Sequence, residues 1–536
     1  MNKAMKVRLG AVCILLAMVG FACGRDDVTA PPPDVEPPSL VIDLGVTYTT
    51  IASATLIWTA PGDDGDSGTA NRYDVRYASE PITEENWDSA SQAGGEPAPS
   101  AAGETEVFIL RGLDPDTDYH FAVKTADEEL NWSGLSNSTS ARTKLYREGQ
   151  GTWWVPEDAG TIQEAIDAAN PGDTVLVKSG IYYERNIHMK SDITLLGETG
   201  EADGVTIDAG GENRVMYCED LSTGTTIKGF TITNGDIELM MNGGGIYLAG
   251  SSPEIVNCDF VSNNATGHGG GIQCIFLSSP HIVNCRFDGN SVMGHGGAIS
   301  CMYESSPTME GCTFKGNDTR CHGGAISCVS GSAPTITDCF LSGNSAMGEG
   351  GAISVVSGSS PTISECRFEG NSTMGMGGAI GISSASTPNL SYCVFIHNMS
   401  NHGAAMSFSS STPVIENCTF AYNEASLGSV LLSDASITEI RNSIIAHNEG
   451  STVVCQEGVA PVFTCSDIFG NSEGDWIGCI EGQLGYSGNI SLDPLFCGDA
   501  HPAEPLGLME TSPCAPSYNP SCGLIGALEA LCPGSI

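Results

Sequence analysis

Gly-Gly-Gly-Ile starts at Gly243 and Gly269, and Gly-Gly-Ala-Ile starts at Gly296, Gly323, Gly350 and Gly377. A degraded copy, Gly403-Ala404-Ala405-Met406, follows, and successive starts lie 26 or 27 residues apart. A period of this size specifies a repeat architecture before any single residue is interpreted. A second phrase, Cys-x-Phe-x-x-Asn, keeps the same interval from Cys258, Cys285, Cys312, Cys366, Cys393 and Cys418, with Leu341 replacing Phe after Cys339.

No repeat carries a helical apolar stripe. Each has apolar pairs at i, i+2, broken by Gly, Ser, Pro and Asn, which is the pattern of short strands and turns. Two or three such strands per 27 residues describe one coil of a parallel β-helix, whose equivalent residues stack about 4.8 Å apart. Inward ladders are expected for Ile246 through Ile380 and for Phe260 through Phe420. A polar ladder is expected from Asn263 to Asn423. Asn tolerates the left-handed backbone of sharp bends, and its stacked amides can bond from coil to coil. An open stack exposes its end strands and needs lids. Thr161-Ile162-Gln163-Glu164 reads as a capping box opening a short helix that Pro171-Gly172 stops. The stretch 491–536, Cys-rich and off the repeat, is expected to close the other end.

Three regions precede the coils. Residues 1–23 combine Lys3, Lys6 and Arg8 with an apolar run, the make-up of a signal peptide. Ala22-Cys23-Gly24 resembles a bacterial lipoprotein cleavage site, with Gly20 where that motif has an aliphatic residue; the resemblance implies lipid attachment at Cys23. Residues 24–39 form a Pro-rich spacer. Residues 40–145 read as a β-sandwich with Trp58 in its core. Leu113-Asp114-Pro115-Asp116-Thr117-Asp118-Tyr119 has the spacing of a tyrosine corner. With Trp132-Ser133-Gly134-Leu135-Ser136 the segment resembles a fibronectin type III domain, which implies a spacer or binding module.

The net charge of −43 offers no basic footprint, so nucleic acid is not an expected partner. Polyanionic glycans should be repelled unless a cation bridges them. Asp63, Asp64 and Asp66 fall within four residues, a composition suited to calcium. Cysteines divide in two. Those from Cys258 to Cys418 recur in register and exchange with apolar residues, so they are expected to be buried thiols. Cys455, Cys465, Cys479, Cys497, Cys514, Cys522 and Cys532 lie off the repeat, where disulfides are expected, although seven cannot all pair.

One column departs from small and apolar. His268, His295, His322 and then Glu349 precede the Gly-Gly turns, a candidate transition-metal set, although a linear ladder does not converge on one point. A second column, Ser300, Ser327 and Ser354, reads as an outward hydroxyl strip that could face a ligand. β-Elimination needs a base, commonly an Arg or Lys in such folds, and the repeats offer few cations, Arg286, Lys315, Arg320 and Arg367, so no catalytic residue is assigned.

The repeats resemble those of polymorphic outer-membrane proteins, defined by Gly-Gly-Ala-Ile and Phe-x-x-Asn. That family's repeats build β-helical passenger domains of surface adhesins; its membrane barrel has no counterpart here. Residues 155–220 resemble the opening coils of pectin lyase-like proteins, a superfamily of lyases, hydrolases, esterases and non-enzymatic surface proteins. The expected fold class is all-β: a fibronectin type III sandwich, then a right-handed single-stranded parallel β-helix over 150–490 with an N-terminal capping helix. The expected function is an exported, monomeric surface or secreted protein, touching membrane only through its lipid anchor. It would serve as a non-catalytic rod that binds glycans or surface partners. The alternative is a polysaccharide lyase or glycoside hydrolase acting on uronate-containing glycans.

Overall fold

The computed structural model describes residues 35–145, 149, 151–238, 241–458, 460–498, 501–502 and 504–532. The signal segment and Cys23 lie outside them. The chain parts into two compact units. Of the described residues, one takes in those up to Gly45 with Ile57–Phe108 and His120–Thr139; the other takes in Val46–Leu56, Ile109–Tyr119 and those from Ser140 onward. This division runs within the 40–145 segment.

That segment folds as a three-stranded sheet and a four-stranded sheet. In the latter, Arg72–Ala78 pairs antiparallel with Asp118–Ala126. Trp58, 1% exposed, meets the Tyr73 ring edge-on at 5.1 Å. The Tyr119 hydroxyl accepts a hydrogen bond from the Asp114 backbone at 3.0 Å, the bond a tyrosine corner makes.

From Thr152 onward the chain winds through three parallel sheets of 13, 12 and 18 strands. One coil shows the order: Ile299–Cys301 in the 18-stranded sheet, Thr308–Glu310 in the 13-stranded, Thr313–Lys315 in the 12-stranded, then Asp318–Thr319 back in the first. The register is that of the repeat: Ile299 pairs with Ile326, Ile326 with Ile353, and Phe287 with Phe314. Side chains of one kind therefore stack inside. Phe260, Phe287 and Phe314 lie 4.7 and 4.9 Å apart with nearly parallel rings, and Phe368, Phe395 and Phe420 repeat the arrangement. Each such pair contributes about 0.5–1.5 kcal/mol beyond its burial.

The asparagine ladder is a continuous hydrogen-bonded column that runs past Asn423 to Asn448 and Asn471. Asn344 is typical. Its Nδ2 donates to the Phe314 carbonyl (3.0 Å) and to Asn371 Oδ1 (2.9 Å), while its Oδ1 accepts from the backbone N (3.0 Å) and Nδ2 (2.9 Å) of Asn317. These asparagines do not supply the left-handed backbone. The residue before each does: Ser262, Gly289, Gly316, Gly343, Gly370, His397, Tyr422 and His447. A second left-handed column precedes the cysteines, at Asn257, Asn284, Asp338, Glu365, Tyr392 and Asn417, and continues at Asn442 before Ser443, with φ of 48–55°. The side-chain network, not the bend, is what demands Asn at the ladder positions.

The N-terminal lid is the helix Ile162–Ala168. Thr161 Oγ1 accepts from Glu164 N (3.1 Å), and Ile162, Ala165 and Ile166 are buried in the core. Glu184 accepts from the backbone N–H groups of Ile162 and Gln163 at 2.8 and 3.2 Å, satisfying two further donors of the first turn. At the far end, Trp476 and then Ile480, from the short 3-10 segment Gly478–Gln483, enter the core, and Cys479 of that segment is fastened to Cys455. Residues 491–532 do something else. Leu506 and Ala527 pack on Val394, Ile396 and Ala421; Leu508, Cys514 and Ile525 pack on Ile444 and Ala446. The tail thus lies along the outer face of the 12-stranded sheet. Asn417 and Asn442 hold it by donating to the carbonyls of Leu524 (3.0 Å) and Cys522 (3.1 Å), and Cys465–Cys522 ties it to the coils. Cys497–Cys532 closes it on itself. Of the seven off-repeat cysteines only Cys514 is unpaired, and the ladder cysteines are buried free thiols.

Candidate functional site

The three imidazoles stack. His268 and His295 are 5.0 Å apart with planes 5° from parallel, and His295 and His322 are 5.2 Å apart at 16°. His268 Nδ1 accepts from His295 N (3.0 Å), and His322 Nδ1 accepts from Glu349 N (2.8 Å). In a neutral ring whose Nδ1 accepts, Nε2 carries the proton and is a donor rather than a metal ligand. Burial pushes His268 down. Burial, with the neighbouring rings, pushes His295 down to about 4. Glu349 Oε2 accepts from Ser383 Oγ at 3.1 Å. His295 Nδ1 is buried without a partner among the described residues, but parallel rings stacked one above another do not converge, and His268, His295, His322 and Glu349 are not brought together as a ligand set.

The calcium candidates fare similarly. Asp66 is exposed, and Asp63 lies among acids. Burial, then a hydrogen bond with Glu128 and the charges of Glu128, Asp64 and Asp127, raise its carboxyl above the usual range. Among the described residues no group of three or more His, Cys, Asp or Glu side chains is placed to hold a metal ion.

Ser300, Ser327 and Ser354 are fully buried, so the outward hydroxyl strip is a misreading. The Gly-Gly turn folds flat over them. Gly296 has φ of 71°, and a Cβ there would sit 2.2 Å from the Ile299 carbonyl oxygen and 3.0 Å from Ser300 Cα. At Gly381, in the serine column, a Cβ would already lie 2.8 Å from Glu349 Cβ. The column is small because the turn leaves no room. The three Oγ atoms have no partner among the described residues.

Open space lies elsewhere. Where the tail crosses the 12-stranded sheet it overhangs a cleft of about 650 Å³. Phe340, Val394, Leu524 and Leu528 give it apolar walls, and Tyr392, 46% exposed, stands at its side. Asp338, Glu365, Glu504 and Glu529 supply four carboxylates. Asp338 and Glu365 hold the same left-handed position on successive coils. Among the described residues Arg367 is the only basic side chain lining the cleft, and its Nε already donates to Glu369 Oε2 at 2.9 Å. Arg286, another of the few cations of the repeats, is held by hydrogen bonds and charge from Asp259 and Asp288, which raise it further above its ordinary value. A guanidinium so paired is poorly suited to take a proton from a substrate.

The family model of the right handed beta helix region matches residues 200–390 and 376–489, more than half of the chain. The chain belongs to the right-handed β-helix family. Among curated proteins, this β-helix chain is similar to calcium-activated chloride channel regulator 1 of Equus caballus, 32% identical over 114 residues. That stretch is 20% of this chain and 12% of the regulator's length. Among solved structures it is similar to a family 28 exopolygalacturonase of Yersinia enterocolitica, at 12% identity, covering 80% of this chain and 98% of that one with a TM-score of 0.27. It is also similar to domains A168–A170 of titin, at 22% identity, 20% and 32% coverage and a TM-score of 0.15. At these scores neither structure bears on function.

The cleft was missed in the sequence because its roof is the tail. A signal for it exists. The outward positions of the 12-stranded sheet change from polar (Asp259, Arg286, Asp288, Lys315) to apolar (Val394, Ile396, Ile444, Ala446), which marks the face as covered.

Proposed function

We propose that this chain is an exported surface protein that binds glycan without turning it over, and that its binding site is the cleft beside the tail. The observation that carries the reading is the make-up of that cleft: an exposed tyrosine and apolar walls beside four carboxylates, with its one arginine already paired. Carboxylates accept hydrogen bonds from sugar hydroxyls, and aromatic and apolar surface suits the less polar face of a pyranose. The same carboxylates repel uronates, so the preferred ligand is a neutral or amine-bearing glycan. The fibronectin type III resemblance of 40–145 suggests a spacer module, and attachment through Cys23 would put the coils at a membrane surface. The kinship to adhesin repeats and to pectin lyase-like proteins agrees with an extracellular glycan partner.

Calorimetric titration of the purified chain with neutral, amino and uronic oligosaccharides tests this. Binding of neutral or amino glycans, weakened about tenfold by Tyr392→Ala, is expected; a preference for uronates that Tyr392→Ala abolishes would overturn the reading. One observation favours a second reading. Asp338 and Glu365 face one cleft from successive coils, and glycoside hydrolysis uses two carboxyl groups. New reducing ends that disappear in Asp338→Asn or Glu365→Gln would establish hydrolysis in place of binding.

A further inference from the structure

Arg214 is 5% exposed. Its guanidinium carbon lies 5.2 Å from the centre of the Tyr217 ring and 4.7 Å from that of Tyr247. The two rings stack at 5.3 Å with planes 11° apart, and the His188 ring approaches Tyr217 at 5.2 Å. These tyrosines occupy, on the opening coils, the outward column that holds Gln273 and Ser300 further along.

Tyrosine faces attract a cation but accept none of its N–H groups in the way an oxygen does. Among the described residues the Arg214 guanidinium makes no hydrogen bond and no ion pair; the groups that act on it are the two tyrosines, and no carboxylate. Burial accordingly pushes it below its ordinary value. Among the described residues Arg76, Arg111, Arg142, Arg185, Arg286, Arg367 and Arg441 each hold a carboxylate, and Arg72 and Arg320, which hold none, are exposed to solvent. With 64 acidic residues against 21 basic ones, acids are plentiful. A buried guanidinium left unpaired is costly unless something else neutralises it.

We propose that Arg214, seated on Tyr217 and Tyr247, is a binding site for a small carboxylate supplied from outside the chain. The guanidinium lies beside the stacked rings, which offer its N–H groups no oxygen acceptor among the described residues. Paired N–H groups along a guanidinium edge match the two coplanar oxygens of a carboxylate. A polyanion is unsuited because the chain's net charge of −43 opposes its approach. The carboxylate can belong to a free organic acid or to a sugar acid. This site is separate from the cleft beside the tail and does not depend on it.

The test is thermal unfolding and calorimetric titration of the whole chain at fixed ionic strength in chloride, with tens of millimolar acetate, glucuronate or sulfate added. The parent's midpoint should rise by about 2 °C or more with a carboxylate. Arg214→Met should not respond and, without added anion, should melt at or above the parent, because the apolar chain fills the space without an unpaired charge. Arg214→Lys keeps the charge but not the fork, and should bind about tenfold more weakly. A response to both acetate and glucuronate assigns a simple carboxylate site; a response to glucuronate alone assigns a sugar acid. No response of the parent by either method, or a response to sulfate alone, overturns the proposal. So does an Arg214→Met that melts well below a parent that ignores carboxylates.

Discussion

The carboxylate of Asp467 accepts a hydrogen bond from the Cys514 thiol at 3.2 Å, between the last coil and the tail that covers it. Asp467 also accepts from Leu492 N at 3.0 Å, and both acid and thiol are buried. Burial outweighs these bonds and raises the Asp467 carboxyl from 3.8 to about 6. A carboxyl raised on folding binds its proton more tightly in the folded state. Its stabilising effect is complete below about 3.8 and is lost as pH rises through about 6. Asp467→Asn should therefore remove this slope and, at neutral pH, stabilise the docked tail by up to roughly 3 kcal/mol. Protease sensitivity of the tail at pH 4.5 and 7.5 reads this directly; identical pH slopes in parent and variant would refute it.

The asparagine column should be less forgiving. Asn344→Ala removes both bonds donated by its side chain and both bonds its oxygen accepts, so the Asn317 backbone N–H and the Phe314 carbonyl lose these partners, while Asn371 Oδ1 keeps only the bond from the residue 344 backbone N–H. The expected loss is roughly 3 kcal/mol or more by denaturant titration. A loss below 1 kcal/mol would mean that neighbouring coils relax to close the gap.

The serine column should behave in the opposite way. Ser327 Oγ is buried and has no partner among the described residues, so Ser327→Ala should leave stability unchanged within about 0.5 kcal/mol, or raise it. Ser327→Val pushes methyl groups into the overlying turn and should cost roughly 1–3 kcal/mol. If alanine proves as harmful as valine, the hydroxyl has a role that crowding does not explain.

Alkylation of the denatured, unreduced protein followed by mass mapping should label the ladder cysteines from Cys258 to Cys418 together with Cys514. It should spare Cys455, Cys465, Cys479, Cys497, Cys522 and Cys532. Label on either half of the Cys465–Cys522 pair would remove the covalent tie that holds the tail to the coils.

The coil interior was legible in the sequence because a strand buries alternate residues, so Ile299, Phe314 and Cys312 announce their positions by repetition. The outer surface was not. Ser300 and Ser327 look like outward hydroxyls until the Gly296 and Gly323 turns are seen lying over them, and no periodicity encodes a loop folding back. The ladder asparagines were recognised, but their local geometry was assigned one residue too late. The left-handed bend falls on Ser262 and its equivalents, which vary among Ser, Gly, His and Tyr and so leave no motif. The tail was expected to close the end of the stack. Its contacts with Val394 and Ile444 span more than 60 residues of sequence and belong to no repeat. Arg214 precedes the Gly-Gly phrases altogether, and only burial distinguishes it from the paired arginines.

The asparagine column has a consequence for how such a chain can change over generations. Every coil offers the next one the same set of amide donors and acceptors, from Asn263 to Asn471. A gene segment encoding one 27-residue unit can therefore be gained or lost without creating a new kind of junction, and the stack then lengthens or shortens by about 4.8 Å. Reach is inherited in whole steps. The coils under the tail, between Val394 and Ala446, are exempt from that freedom, because the tail is cut to fit them.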